Sequence, residues 1–148
     1  MIGLLQRVTD AFAEIDGEEI AHIGAGLLVL VAVERGDDEA IAARLLDRLL
    51  NYRVFADAEG RMNRSVIDTG GALLLVPQFT LAADTGQGLR PGFSRAAAPQ
   101  DAERLFGVLA RLARERLPAA QSGRFGAHMR VSLVNDGPVT FWIQVPAD

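Results

Sequence analysis

Leu27-Leu28-Val29-Leu30-Val31-Ala32-Val33 is an unbroken apolar run of seven residues. A bilayer span takes roughly 18 such residues, so this one is too short to cross a membrane. It has no polar face and is rich in β-branched side chains, as expected of a central strand covered on both faces. Upstream, Gly24-Ala25-Gly26 breaks the chain. Before the break, Ile2, Leu4, Gln6 and Val8 alternate with Gly3, Leu5, Arg7 and Thr9, which predicts a strand from Ile2 to about Ile15. Asp16-Gly17 is a hairpin signal, and Ile20 to Ile23 return as its second strand.

Downstream, Asp37 or Asp38 can cap a helix from about Glu39 to Tyr52, with Ile41, Leu45 and Leu49 as its apolar stripe. Leu73 to Val76 reads as another buried strand, ending at Pro77. Ala82 to Ala98 holds four glycines and prolines with few large apolar residues, so a long loop is expected; such loops in compact domains usually carry function. A second helix starts near Pro99 or Gln100, buries Ala102, Leu105, Phe106, Leu109, Leu112 and Ala113, and stops at Leu117-Pro118. Ser122 to Gly126 is a second loop. Met129 to Val134 and Val139 to Val145 read as two strands separated by Asn135-Asp136-Gly137-Pro138. The order β-β-β-α-β-α-β-β predicts an α/β fold, one domain over residues 1–148, with helices packed on a mixed sheet.

Composition narrows the chemistry. At 148 residues, half of them apolar, the chain can bury one core. There is no cysteine, which excludes disulfides and thiolate metal sites. All 15 basic residues are arginine, which excludes a Schiff-base lysine. The two histidines, His22 and His128, lack ligand spacing and read as surface or packing residues, so neither metal nor cofactor is expected. No basic n-region or cleavage site marks a signal peptide, and the cytoplasm is the expected compartment. A net charge of −4 counts against broad nucleic-acid binding, but not against a local arginine patch on one RNA end.

Two segments carry polar residues where strands should end. Pro77-Gln78-Phe79-Thr80-Leu81 follows a buried strand, and ligands in α/β sheets bind at strand ends. It also fits plain strand-end residues bonded to neighbouring backbone. Asn135-Asp136-Gly137-Pro138-Val139-Thr140 has the composition of a bend, with a proline that permits a cis or trans bond, and equally fits an ordinary hairpin turn.

These segments do not stand alone. Gln6-Arg7-Val8, Phe55-Ala56-Asp57-Ala58-Glu59-Gly60-Arg61-Met62-Asn63 and Gln78-Phe79-Thr80-Leu81-Ala82-Ala83-Asp84-Thr85 are followed by Arg90-Pro91, Phe93-Ser94 and Gly123-Arg124-Phe125. The ending Val131-Ser132-Leu133-Val134-Asn135-Asp136-Gly137-Pro138-Val139-Thr140-Phe141-Trp142 completes the set. In these motifs, in this order, the chain resembles the D-aminoacyl-tRNA deacylase family over nearly its whole length. One position departs: the family usually has serine where Pro77 stands.

The resemblance implies a homodimer with its active sites at the subunit interface. Each site would combine Gln78, Phe79 and Thr80 of one subunit with the Gly137-Pro138 turn of the other, a cis-proline turn in the family. Its carbonyls would face the α-carbon of the aminoacyl group. An L side chain would clash there, a D side chain would point away, and glycine would have nothing to reject. The implied substrates are D-aminoacyl-tRNA and glycyl-tRNA, held by the 3′ end, and the implied reaction is ester hydrolysis. Backbone N–H groups near Phe79 and Thr80 would hold the oxyanion. The 2′-hydroxyl of the terminal adenosine would help activate water. Thr80 is assigned to substrate positioning, with nucleophile as the alternative. Arg7 is expected to hold the Gly137-Pro138 turn, and otherwise to be a solvent-facing strand residue. Met129 is expected near the adenine, or as a buried strand methionine. Arg90, Arg95 and Arg124 are candidates for touching the RNA backbone. The competing readings are a non-catalytic RNA-end or ligand-binding module on the same fold, and a structural oligomer.

Overall fold

The computed structural model describes residues 1–148. Strand β1 (Ile2–Ile15) turns at Asp16-Gly17 into β2 (Glu18–Ile23), which leads into β3 (Gly26–Ala32). Both turn residues take positive φ, 51° and 79°, as a two-residue type I′ connection requires. The register survives the break at Gly24-Ala25. Ala11 faces Ile23 on one side of it and Val8 faces Gly26 on the other, so β2 and β3 form one long interrupted arm against β1.

The chain then forms helix α1 (Glu39–Asn51), a small hairpin of β4 (Phe55–Ala56) and β5 (Met62–Arg64), and a single turn of helix α2 (Val66–Thr69). Strand β6 (Ala72–Pro77) lies parallel to β3. At Gly26 a Cβ would sit 2.0 Å from the carbonyl oxygen of Ala72, so the approach of these two strands admits only glycine. Helix α3 (Pro99–Arg116) follows, then β7 (Gln121–Ser122) parallel to β6, and last β8 (Arg130–Gln144), antiparallel to β1 along the edge opposite β2 and β3. No helix is long and apolar enough to cross a membrane.

The two long helices cover one face. Leu45 and Leu49 of α1 and Leu105 and Leu109 of α3 pack on Leu5, Leu27, Val29, Leu73 and Leu75. Each such leucine removed from water contributes about 1.5–3 kcal/mol. Asp38 caps α1 by accepting from the Ile41 N–H at 2.9 Å, and Pro99 opens α3 in its first turn. On the other face the sheet covers itself. Ala21 and Ile23 of β2, with Val131 and Leu133 of β8, close over Val8, Leu28, Leu74 and Val76. The seam between β2 and β7 is bridged by one side chain: Gln121 accepts from the His22 N–H at 2.8 Å and donates to the His22 carbonyl at 2.7 Å.

Part of that second face stays open. Trp142, Leu4 and Leu30 form one cross-strand row, Trp142 is 51% exposed, and the two leucines are half-buried. The expectation that β3 is covered on both faces therefore fails at Leu30.

A second expectation also fails. Asn135-Asp136-Gly137-Pro138 does not separate two strands; β8 runs straight through it. Val8 faces Asn135 and Gln6 faces Thr140, so two steps along β1 oppose five along β8. The surplus residues leave the ladder as a wide bulge, and pairing resumes beyond them. The expected element order also omits β4, β5, α2 and β7, each too short to show a period.

Candidate functional site

The strand end after β6 is built from the backbone outward. Gln78 N–H donates to the Val31 carbonyl at 2.7 Å, the last bond of the β3–β6 ladder. A single 3-10 turn (Phe79–Ala82) then starts. Its amides are satisfied from Leu81 onward, where Leu81 N–H donates to the Gln78 carbonyl and Ala83 N–H to that of Thr80. The N–H groups of Phe79 and Thr80 open the turn and have no acceptor, as the first amides of any helical turn lack an internal partner. The Thr80 hydroxyl accepts from the Gln78 side-chain amide. Pro77 lacks an N–H, but it supplies neither of the two free amides.

The bulge in β8 is held from three sides. Asn135 Oδ1 accepts from the Val139 N–H at 3.0 Å, and its Nδ2 donates to the Thr140 hydroxyl at 2.9 Å. Arg7 Nε donates to the Asp136 carbonyl at 3.0 Å, and its Nη1 donates to the Val54 carbonyl. The Arg7 side chain is 16% exposed and lies 3.4 Å from the Asp136 carboxylate. The Gly137-Pro138 bond is cis. Gly137 has φ of 142°, and a Cβ there would meet the Val139 amide nitrogen at 2.8 Å, so glycine is obligatory. Gly137 and Pro138 are both exposed. Asn135 and Thr140 carry as much of this arrangement as Arg7. The pair of small polar residues bracketing Gly137-Pro138 was the available sequence signal.

Beside the 3-10 turn lies a cavity of about 410 Å³, within the range of small-molecule sites. Val76, Pro77, Gln78 and Phe79 form one wall, and Phe125, His128 and Met129 another. Met129 is fixed by the loop before it. Its sulfur takes the Arg124 N–H at 3.4 Å, and a Cβ on Gly123 would stand 2.9 Å from that sulfur. His128 was read as a surface or packing residue; it is exposed and lines this cavity.

Gly137 and Pro138 are not among the residues that line the cavity beside the 3-10 turn. From β8 through β1 and β3 to β6 there are three strand spacings of about 4.8 Å, and the bulge lies about four residues, at about 3.3 Å each, along β1 from the level of Pro77. Of the other arginines, Arg95 is paired with Glu34 at 3.0 Å and stays more than half exposed. Arg90 and Arg124 are exposed. Glu34 also binds Gln144 and, at 3.1 Å, the Met1 ammonium, which Asp37 takes at 2.8 Å. Burial pushes the Glu34 pKa up, but these hydrogen bonds and charges outweigh it and hold the carboxyl below its ordinary value.

The structure thus holds a strand-end turn with two unclaimed amides, a cavity beside it and a clamped cis-proline bulge. A model of the D-Tyr-tRNA(Tyr) deacylase family matches residues 4–144. The chain belongs to the D-Tyr-tRNA(Tyr) deacylase family. Similar members include the D-aminoacyl-tRNA deacylases of Azotobacter vinelandii, 61% identical over 97% of this chain and 99% of that one. That of Nitrosococcus oceani is 59% identical over 99% and 94%. Among solved structures, a c-Myc DNA unwinding element binding protein superposes with a TM-score of 0.94 at 35% identity, over 99% of this chain and 100% of that one. A probable eukaryotic D-amino acid tRNA deacylase superposes at 0.81 with 15% identity over 96% and 98%, a likeness of fold. The fold of this family member is thus shared end to end with its relatives.

Proposed function

We propose that this chain hydrolyses the ester between a D-amino acid and the terminal ribose of tRNA, as a homodimer in the cytoplasm, and that glycyl-tRNA is a second substrate. The observation that carries the reading is the pair of unclaimed amides at Phe79 and Thr80, in the turn beside the cavity. Attack on an ester carbonyl makes an oxyanion, and fixed N–H donors stabilise it without reorganising. One such donor can contribute about 2.7–4 kcal/mol. The adenosine would enter the cavity between Gln78 and Met129, which brings its ribose ester to the turn.

Thr80 is a positioning residue. The group on its hydroxyl is the Gln78 amide, a donor that cannot take up a proton, so the threonine is not activated as a nucleophile. Water is the nucleophile, and the 2′-hydroxyl of the substrate helps activate it. Chirality is read by the partner subunit. In this reading the Gly137 and Pro138 carbonyls reach the ester across a two-fold axis, which the separation of the two motifs along the sheet supports. The open row of Trp142, Leu4 and Leu30 is an apolar surface for that contact. Rejection of the L side chain by main-chain carbonyls explains why no pocket needs to enclose the D side chain.

The test is release of amino acid from D-Tyr-tRNA, L-Tyr-tRNA and Gly-tRNA, with sedimentation of the enzyme at assay concentration. Fast release from the D and glycyl substrates by a dimer is expected. Release of D-tyrosine no faster than in buffer would defeat the reading, and an active monomer would defeat the shared site.

A further inference from the structure

Phe79 and Phe93 are exposed by 56% and 40% and stand together, ring centroids 5.2 Å apart at 45°. Two large aromatic faces left open to water are costly unless something covers them. They form a ridge between the cavity described above and a second groove of about 740 Å³. The two hollows share Phe79, Ala97 and Pro99, and the second is edged by Arg35, Asp101 and Arg104.

We infer that the Phe79–Phe93 pair is a stacking platform for the base of the cytidine that precedes the terminal adenosine of tRNA. The inference rests on the proposed seat of that adenosine in the first cavity. A nucleotide joined to it by one phosphodiester must leave over a rim of that cavity, and this rim offers aromatic faces and leads into further space. Charge agrees with stacking rather than phosphate capture. Glu34 and Asp37 in the groove are occupied by the Met1 ammonium and Arg95, and Arg104 is held by Glu39 at 3.1 Å. Arg35 and Asp101 remain, one donor group and one acceptor group. A cytosine edge carries an amino donor beside ring and carbonyl acceptors, which complements that pair. Stacking with little phosphate neutralisation also predicts a shallow salt dependence for this step.

The test compares two non-hydrolysable probes, in which an amide replaces the ester: D-tyrosyl-adenosine and D-tyrosyl-CpA. Wild-type dimer should bind the dinucleotide about 10- to 100-fold more tightly, the range of one base on aromatic side chains. Phe93→Ala should reduce that advantage to less than about threefold while affinity for the adenosine probe stays within about twofold. Phe93→Leu keeps apolar packing on Phe79 without an aromatic face, and should behave like the alanine variant. Equal affinity of both probes for the wild type overturns the inference alone. So does an equal loss for both probes in the Phe93 variants, or a Phe93→Ala protein that sediments as a monomer, which would make the pair a subunit contact. Failure of either probe to bind at all overturns the adenosine seat itself.

Discussion

The guanidinium of Arg7 holds the carbonyl of Asp136 at 3.0 Å, from the neighbouring strand and one residue ahead of Gly137. With its other arm on the Val54 carbonyl, it pins the bulge of β8 to the segment that follows α1. A lysine carries its three donors on one nitrogen of a flexible stem and does not reproduce the rigid fork that spans both carbonyls. Arg7→Lys and Arg7→Ala should therefore lower the ratio of D to L hydrolysis by about tenfold or more, while D-Tyr-tRNA release slows by less than about fivefold. Parallel single-turnover assays on the two substrates give that ratio, and an unchanged ratio would remove Arg7 from chiral selection.

Thr80→Ala separates positioning from covalent catalysis. A positioning hydroxyl is expected to cost about 10- to 100-fold in single-turnover rate. A loss of several orders of magnitude with probe binding intact would make Thr80 the nucleophile. Its free amide remains in the variant, so the oxyanion donors are not disturbed.

The long elements were legible because their sequences repeat at the period of the structure they form. Ile41, Leu45 and Leu49 announced α1; of the two candidate caps, Asp37 and Asp38, the structure uses Asp38, and of the two candidate starts of α3, Pro99 and Gln100, it uses Pro99. The continuity of β8 was hidden for a physical reason. Proline has no N–H to give a ladder, so Gly137-Pro138 reads as the end of a strand. The strand continues because Asn135 and Thr140 close the bulge on itself, a contact across five residues that no periodicity encodes. At the site, the polar residues of Gln78-Phe79-Thr80 and the prospect of free amides were legible; which two amides are free depends on where the ladder to Val31 stops. The pairing of Arg95 with Glu34 was not legible, because the two stand 61 residues apart.

Two glycines two residues apart should respond in opposite ways. At Gly26 a methyl would press on the Ala72 backbone at 2.0 Å, so Gly26→Ala must part β3 from β6 and should cost about 3 kcal/mol or more. At Gly24 nothing lies within 4 Å, so Gly24→Ala should be neutral or stabilising by up to about 1 kcal/mol. Urea unfolding of both variants checks the pair, and similar midpoints would contradict the close approach.

Acid should act on Glu34. Its folded pKa lies below its unfolded value, so its contribution is complete above the ordinary glutamate range and is lost as pH falls through the lower, folded value. Glu34→Gln should start less stable at neutral pH and lose less between about pH 5 and pH 3. Thermal melts across that window would show it, and parallel wild-type and variant curves would exclude the effect.

Gln121 leaves β7 fastened on one side by a single amide group. Deuterium should reach the backbone of this short strand, and of His22 opposite, sooner than the interior of β3 or β6. Residues 123–129 continue straight from that strand into the cavity wall, so slackness there travels to Met129. Loosening at this glutamine, which stands in for a row of main-chain bonds, is then expected to change the room offered to a nucleoside.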